Sequence, residues 1–174
     1  MGYTKINLTT KRLSLVQFDI KYAQEMFTGF DTEITRYMYG KPNESIQDVL
    51  NFINLSQKNM KNGKELVLVY TLTKTGEFLG AAGLHNINSR TPEFGIWLKK
   101  SAHGHGYGRE AATALHDWAV INLKYDYLKY PVDKNNRPSK KIPVSLDGVA
   151  EDEYKKTNAS GYLLDLVEYS IYKS

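Results

Sequence analysis

The sequence predicts a mixed α/β (α+β) domain with a mostly antiparallel central sheet and helices on both faces. Three observations carry this expectation. Between Glu65 and Leu98, three apolar, aromatic and β-branched runs follow one another with turn-forming residues between them, the pattern of an antiparallel meander. After Gly108 the apolar spacing switches from alternation to helical recurrence. The order strand, helix, strand over 94–133 then needs a crossover connection, which brings a parallel pair into the sheet.

The elements are justified in chain order. Arg12 to Phe18 alternates Leu13 and Leu15, with Val16 and Phe18 less strict, and reads as a strand. Asp19 caps a helix that reaches about Phe30. The loop Pro42-Asn43-Glu44-Ser45 ends in a cap, after which Ile46, Val49, Leu50, Ile53 and Met60 recur at helical spacing. Asn62-Gly63 suits a left-handed helix end. Glu65 to Thr73 is a strand, Lys74-Thr75-Gly76-Glu77 a hairpin turn, and Phe78 to Ile87 the return strand. Asn88 to Pro92 turns again into a strand over Glu93 to Leu98. Ser101 to Gly108 is loop, and Arg109 to Leu123 a helix with Ala112, Leu115 and Ala119 on one face. Tyr127 to Asp133 is a strand, Arg137 to Leu146 a shorter helix, and Tyr162 to Tyr172 a closing strand, with one more strand around Glu153 to Thr157.

The 174 residues fit a single domain, 1–174. With no cysteine, disulfides, thiolate metal sites and a cysteine nucleophile are all excluded. No segment has the ~20 apolar residues of a membrane span. Met1 to Thr10 lacks the apolar stretch of a signal peptide, so the expected compartment is the cytoplasm. The net charge of +4 and pI near 9.0 suit either nucleic acid or a polyanionic cofactor. The basic residues are spread along the chain without a dense stripe, which favours the cofactor.

The chemistry is concentrated in His103-Gly104-His105-Gly106-Tyr107-Gly108, between a strand and a helix. Glycines let the backbone turn sharply and let an anion come close. The helix start offers free N–H groups and a partial positive charge, so the pair makes a phosphate site. Tyr107 adds an aromatic side chain and Arg109 a charge. The Walker pattern is absent, and the glycines run Gly-x-Gly-x-Gly and not as the dinucleotide fingerprint Gly-x-Gly-x-x-Gly. His103 and His105 have no third ligand nearby in sequence, so no metal site is expected.

This loop and the helix after it resemble motif A of the GNAT acetyltransferase superfamily, whose pattern is Gln/Arg-x-x-Gly-x-Gly/Ala. The strand Leu128 to Asp133 followed by Asn136-Arg137-Pro138-Ser139 resembles motif B in the RimJ/RimL-like branch. Glu93-Phe94-Gly95-Ile96-Trp97-Leu98 resembles that branch's fourth strand, and Arg12-Leu13-Ser14-Leu15 its first. The resemblance spans nearly the whole chain. It departs from the pattern at His103, where Gln or Arg is usual; at Pro143, where many relatives carry a proton-donating Tyr; and at Gly148-Val149, where a Gly-aromatic pair is usual.

The resemblance implies a GNAT-like fold and transfer of acetyl from acetyl-CoA to a primary amine, with an α-amino group of a protein or peptide suggested by the Rim-like branch. It implies direct attack in a ternary complex. It also implies that His103, Gly104, His105, Gly106, Tyr107, Gly108 and Arg109 hold the pyrophosphate, and that Ile96, Leu98, Asn136 and Ser139 meet the pantetheine arm. Glu93 is the expected base, a backbone N–H within Ile96 to Leu98 the oxyanion donor, and Ser139 the donor to the leaving sulfur. Each has a structural rival. Glu93 also reads as a strand-edge charge, and Asn136 as a helix cap. Trp97 and Tyr107 are candidates to line the cleft, although Trp97 suits the core equally. His85 and His116 have no assigned role, and Asp165 and Glu168 are placed by the acceptor entrance on family topology alone. The alternative reading is a CoA-binding sensor without chemistry, and a third is a small basic nucleic-acid binder. A monomer or a homodimer fits equally well.

Overall fold

A computed structural model describes residues 2–173. Eight strands form one sheet: β1 (Asn7–Thr9), β2 (Leu13–Gln17), β3 (Leu66–Leu72), β4 (Phe78–His85), β5 (Glu93–Leu98), β6 (Tyr127–Asp133), β7 (Val149–Thr157) and β8 (Leu163–Tyr172). Their order across the sheet is β1-β2-β3-β4-β5-β6-β8-β7, and every neighbouring pair is antiparallel except β5 and β6. The helices are α1 (Ala23–Gly29), α2 (Thr32–Thr35), α3 (Ile46–Lys61), α4 (Tyr107–Asn122) and α5 (Arg137–Ser145). No helix is long and apolar enough to cross a membrane among the described residues.

Helices cover both faces, as the sequence predicts. Strand β3 shows why its alternation is hidden: Leu66, Leu68 and Tyr70 pack in the core under α4, while Val67 and Val69 pack under α1 and α3. A strand buried on both sides reads as one continuous apolar run. Helix α3 starts where Ser45 and Asp48 form a capping box, with Asp48 N–H donating to Ser45 Oγ (3.2 Å) and Ser45 N–H to Asp48 Oδ2 (2.9 Å). It ends at Gly63, whose φ of 68° confirms the left-handed turn.

Several boundaries differ from the sequence reading. The helix expected from Asp19 begins as a 3-10 turn, Ile20–Tyr22, and only Ala23–Gly29 is α-helical. The short strand β1 and the single turn α2 are additional, and both are too short to show a period. Helix α4 starts at Tyr107, two residues earlier than expected, so Tyr107 and Gly108 lie in its first turn. Strand β7 begins at Val149 and not near Glu153; nearly all its residues are exposed, and no apolar alternation marks it.

The meander is locked at one close approach. Tyr70 is fully buried, and its hydroxyl donates to the Trp97 carbonyl at 2.6 Å. Its ring reaches β5 because Gly80 lies between them without a side chain. A Cβ at Gly80 would stand 2.2 Å from the Trp97 carbonyl oxygen and 2.9 Å from Tyr70 Oη. Gly80→Ala is therefore expected to cost about 1–3 kcal/mol through overpacking. Urea denaturation should show the midpoint falling accordingly, with Tyr70→Phe costing about 1 kcal/mol for the lost hydrogen bond.

Candidate active site

The sheet is open at one place. Strands β5 and β6 share a single register pair, Glu93 with Lys129, where the Lys129 N–H donates to the Pro92 carbonyl at 2.8 Å. Beyond it no ladder joins them among the described residues, so the strands part toward their C-terminal ends. The bond to Pro92 fixes the sense of β5: even-numbered residues turn their backbone groups toward β6, and odd-numbered ones toward β4. The N–H groups of Ile96 and Leu98 thus face the slot. That of Trp97 does not, which narrows the sequence-expected oxyanion donor to Ile96 or Leu98. The Leu98 carbonyl is taken by His103, whose Nε2 donates to it at 2.8 Å.

The slot leads to the glycine loop. Gly104 (φ 84°) and Gly106 (φ 77°) both adopt the left-handed region, and Gly106 is the N-cap of α4 without any side-chain capping bond. The first intrahelical donor is Glu110, bonded to the Gly106 carbonyl at 3.1 Å. The N–H groups of Tyr107, Gly108 and Arg109 therefore have no helical partner and converge at the positive end of the helix. Gly108 is a different case. A Cβ there would make only ordinary contact with Ile142 (3.5 Å) and Ile96 (4.0 Å), and its φ is not positive, so neither close packing nor backbone freedom demands glycine at that position.

Arg12 holds this loop in place, a role the sequence does not reveal. Its Nη1 donates to the His105 carbonyl (3.0 Å), and its guanidinium stands 4.6 Å from the Tyr107 ring centroid, with His105 stacked at 5.3 Å from that ring. Glu110 secures Arg12 in turn. It accepts from Arg12 Nε (2.7 Å), Arg12 Nη2 (2.7 Å), the Arg12 N–H (2.9 Å) and Thr10 Oγ1 (2.6 Å). Burial raises the Glu110 carboxyl, but the Thr10 and Arg12 donors outweigh it and hold the group below its ordinary value. Nothing local in the sequence links positions 98 residues apart.

Helix α5 forms the other wall. Asn136 is its N-cap and accepts from the Ser139 N–H (3.4 Å), so the capping role expected for Asn136 is real. Ser139 Oγ lies 2.8 Å from the hydroxyl of Tyr130 on β6. Burial pushes the Tyr130 phenol up to about 12, partly offset by the Ser139 bond, so it stays protonated. Pro143 lies inside the last turn of α5, and the helix ends two residues later, as its missing N–H predicts. The Pro143 carbonyl accepts from the Gly148 N–H at 2.8 Å, and a Cβ at Gly148 would stand 2.8 Å from the same oxygen.

The opposite side of the slot is polar. Glu93, Gly95 and Trp97 point to the face of α1 and α3. Trp97 packs with Phe30 and Phe78, so its core role holds. Glu93 borders a shallow cavity of about 590 Å³ walled by Lys64, Asn86, Ser89, Thr91 and Lys129. Across from it His85 lies over Gly95, where a Cβ would come within 2.9 Å of His85 Nε2. Its Nδ1 is 3.2 Å from Glu65 Oε2. Burial raises Glu65, but the His85 bond and charge bring it below the usual range. Further along this face Glu168 meets Lys129 (3.4 Å) and the Tyr154 hydroxyl (3.2 Å). Asp165 is tied to Lys134 at 3.2 Å, which makes it part of an ion pair at the margin. His116 is buried on α4, away from the slot. The sequence reading missed Tyr130 and the His85–Glu65 pair, because their partners come from other elements, Ser139 on α5 and Glu65 beside β3.

A helix N-terminus with free amides thus stands beside a sheet that parts at one strand pair, an anion-binding helix end continued by an open slot. The profile of the "Acetyltransferase (GNAT) domain" family matches residues 12–148, and the chain belongs to that family. It is 27% identical over 173 residues to a Bacillus licheniformis protein described as "Uncharacterized N-acetyltransferase p20", covering 95% of this chain and 96% of that one. Its fold is similar to Mycobacterium smegmatis RimJ in complex with CoA-disulfide (TM-score 0.87, 15% identity, 99% and 90% of the two chains). It is also similar to MccE, a Microcin C7 self immunity acetyltransferase in complex with acetyl-CoA and AMP (TM-score 0.82, 20% identity, 94% and 93%). A third similar fold is RimL, the ribosomal L7/L12 alpha-N-protein acetyltransferase in complex with coenzyme A (TM-score 0.83, 14% identity, 96% and 98%). As a member of this family the protein is an acetyltransferase with acetyl-CoA as co-substrate.

The Arg12–Glu110 latch gives a pH-signed prediction. A carboxylate held below its ordinary value stabilises the fold above about pH 4.3 and loses that contribution as pH falls through its lowered value. Glu110→Gln should cost about 1 kcal/mol at neutral pH, because Arg12 is partly solvent-screened. Melting curves should show the gap from wild type closing at acid pH. The same variant should raise KM for acetyl-CoA more than it lowers kcat.

Proposed function

We propose that this protein transfers acetyl from acetyl-CoA to a primary amine, in particular an α-amino group of a protein or peptide, by direct attack in a ternary complex in the cytoplasm. The observation that carries the reading is the slot between β5 and β6, with free backbone donors on one side and carboxylate and imidazole groups on the other. The protein-N-terminal acceptor is supported by the similarity to RimL, described as an alpha-N-protein acetyltransferase.

The pyrophosphate meets the amides of Tyr107, Gly108 and Arg109, with the turns at Gly104 and Gly106 admitting it and His103 and His105 flanking it. The pantetheine arm runs past Ile96 and Leu98, between β5 and the Asn136–Ser139 turn of α5. The N–H of Ile96 stabilises the oxyanion as the amine attacks the thioester carbonyl. Ser139 donates a hydrogen bond to the leaving sulfur, and the Tyr130 hydroxyl 2.8 Å away, which stays protonated, holds Ser139 in place.

Glu93 accepts the amine's proton. A second reading of the base is favoured by one observation: His85 Nε2 lies over Gly95, and its other nitrogen is held by Glu65. Substitution separates the two. Glu93→Gln should lower turnover by about 100-fold or more if it is the base. A near-wild-type rate in that variant, with a comparable loss in His85→Gln, assigns the proton to the imidazole. Ser139→Ala should lower kcat by about 10–100-fold, the worth of a hydrogen bond to a developing thiolate.

The function itself is tested by melting temperature with and without acetyl-CoA, with ATP as control, followed by thiol release against a panel of peptide N-termini, lysine amines and small amines. A rise of roughly 5–10 °C with acetyl-CoA at a hundredfold its Kd is expected. Thiol release should be fastest with peptide N-termini. Equal stabilisation by ATP, or no thiol release with any amine, overturns the reading.

A further inference from the structure

Strand β7 is an open edge of the sheet. It pairs only with β8, and its residues Val149 to Lys156 are exposed apart from the half-buried Tyr154. The Lys134 N–H bonds to the Asp165 carbonyl, so odd-numbered residues of β8 face β6 and even-numbered ones face β7. Through the register Tyr154↔Leu166 and Lys156↔Leu164, the even residues of β7 then bond to β8. Glu153, Lys155 and Thr157 turn their N–H and C=O groups outward. The Glu153 N–H meets only the Asp152 side chain, at 2.8 Å. An unpaired edge of this length is a template for another strand.

Its charges decide which strand fits. From Glu151 the edge reads Glu-Asp-Glu-Tyr-Lys-Lys, acidic before Tyr154 and basic after it. Two copies related by a two-fold axis perpendicular to the sheet pair antiparallel, and the side-chain alternation requires the axis to pass beside one residue that faces its own copy. Centring on Glu153 sets Glu153 against Glu153, and centring on Asp152 sets Asp152 against Asp152. Centring on Lys155 sets Lys155 against Lys155. Centring on Tyr154 sets Glu153 against Lys155 and Asp152 against Lys156, each twice, with the two tyrosines together at the axis. Opposite charges across a strand pair attract and like charges repel. Asp152 and Lys155 have no ion-pair partner within the chain among the described residues, whereas Glu153 Oε2 also holds Lys134 at 2.7 Å and Lys156 lies 4.0 Å from the Tyr39 ring centroid.

We propose that β7 is a homodimer interface, pairing antiparallel with β7 of a second copy in the register centred on Tyr154. The outward groups of Glu153 in one copy then bond to those of Lys155 in the other, and the sheet continues through both molecules. The axis preserves faces, so Tyr154, Glu168 and the Glu93 side of both slots look the same way. The pair presents two acceptor faces on one broad surface.

Sedimentation across a dilution series tests this. Wild type is expected to dimerise, and more weakly at high salt. Lys155→Glu turns two attractions into two repulsions and should weaken the dimer about tenfold or more, as should Glu153→Lys, which also gives up the contact with Lys134. The double exchange E153K/K155E restores opposite charges in the same register and should recover it. Amide exchange read at Glu153 and Lys155 should show protection that fades on dilution. A monomer at every concentration, or a dimer indifferent to both reversals, overturns the proposal. The acetyl-CoA melting shift, measured on the same variants, reports the cofactor site separately and should not change.

Discussion

The structure depends on one failure of pairing. Strands β5 and β6 meet at Glu93 and Lys129 and nowhere else, in a sheet whose other neighbours pair along most of their length. A parallel pair requires a crossover, and here the crossover is the loop and helix that carry the cradle. The chain thus delivers a helix N-terminus to the end of the strand whose backbone donors are unused. Slot and cradle are products of the same connection, and neither has a purpose without the other.

Unpaired backbone groups normally cost stability when buried; here they lie along the slot, at the start of α4 and on the exposed β7 edge. The surroundings are correspondingly over-determined. Tyr70 clamps the carbonyl of Trp97 across Gly80, and His103 occupies the carbonyl of Leu98. Arg12 and Glu110 tie the loop to the first long strand. The donors left free at this site are the amides of Ile96, Leu98, Tyr107, Gly108 and Arg109, ranged along the slot and the start of α4.

Much of this was legible in the sequence because it rests on local rules. The capping box at Ser45, the left-handed end at Gly63 and the glycines at 104 and 106 each express a backbone need through a residue type. The meander and the crossover followed from period alone. What stayed hidden depends on residues distant in sequence or on weak pattern. Arg12 sits in a strand start and finds its partner on α4, Tyr130 meets Ser139 only once α5 folds back, and His85 meets Glu65 across two strands. Strand β7 carries charge where a strand reading looks for apolar alternation, so its first half was missed. The motif placed Glu93 at the start of β5, whereas its neighbours on that face were not foreseen.

The single pair at Glu93 and Lys129 has a mechanical consequence. It divides the sheet into a five-stranded block, β1 to β5, and a three-stranded block of β6, β8 and β7, joined by one rung. The larger block is braced internally by Tyr70. The smaller is held to it by helix packing and by a strap at the far end, where Asn158 Nδ2 and the Ala159 N–H donate to the carbonyls of Met38 and Tyr39 at 3.0 and 2.8 Å. Slot width is therefore set by helix packing and loop contacts, among them the Asp126 N–H to the Arg90 carbonyl (2.7 Å) beside the rung, and not by a continuous ladder. The two blocks are coupled by loops and helices around the slot, and not by the sheet itself.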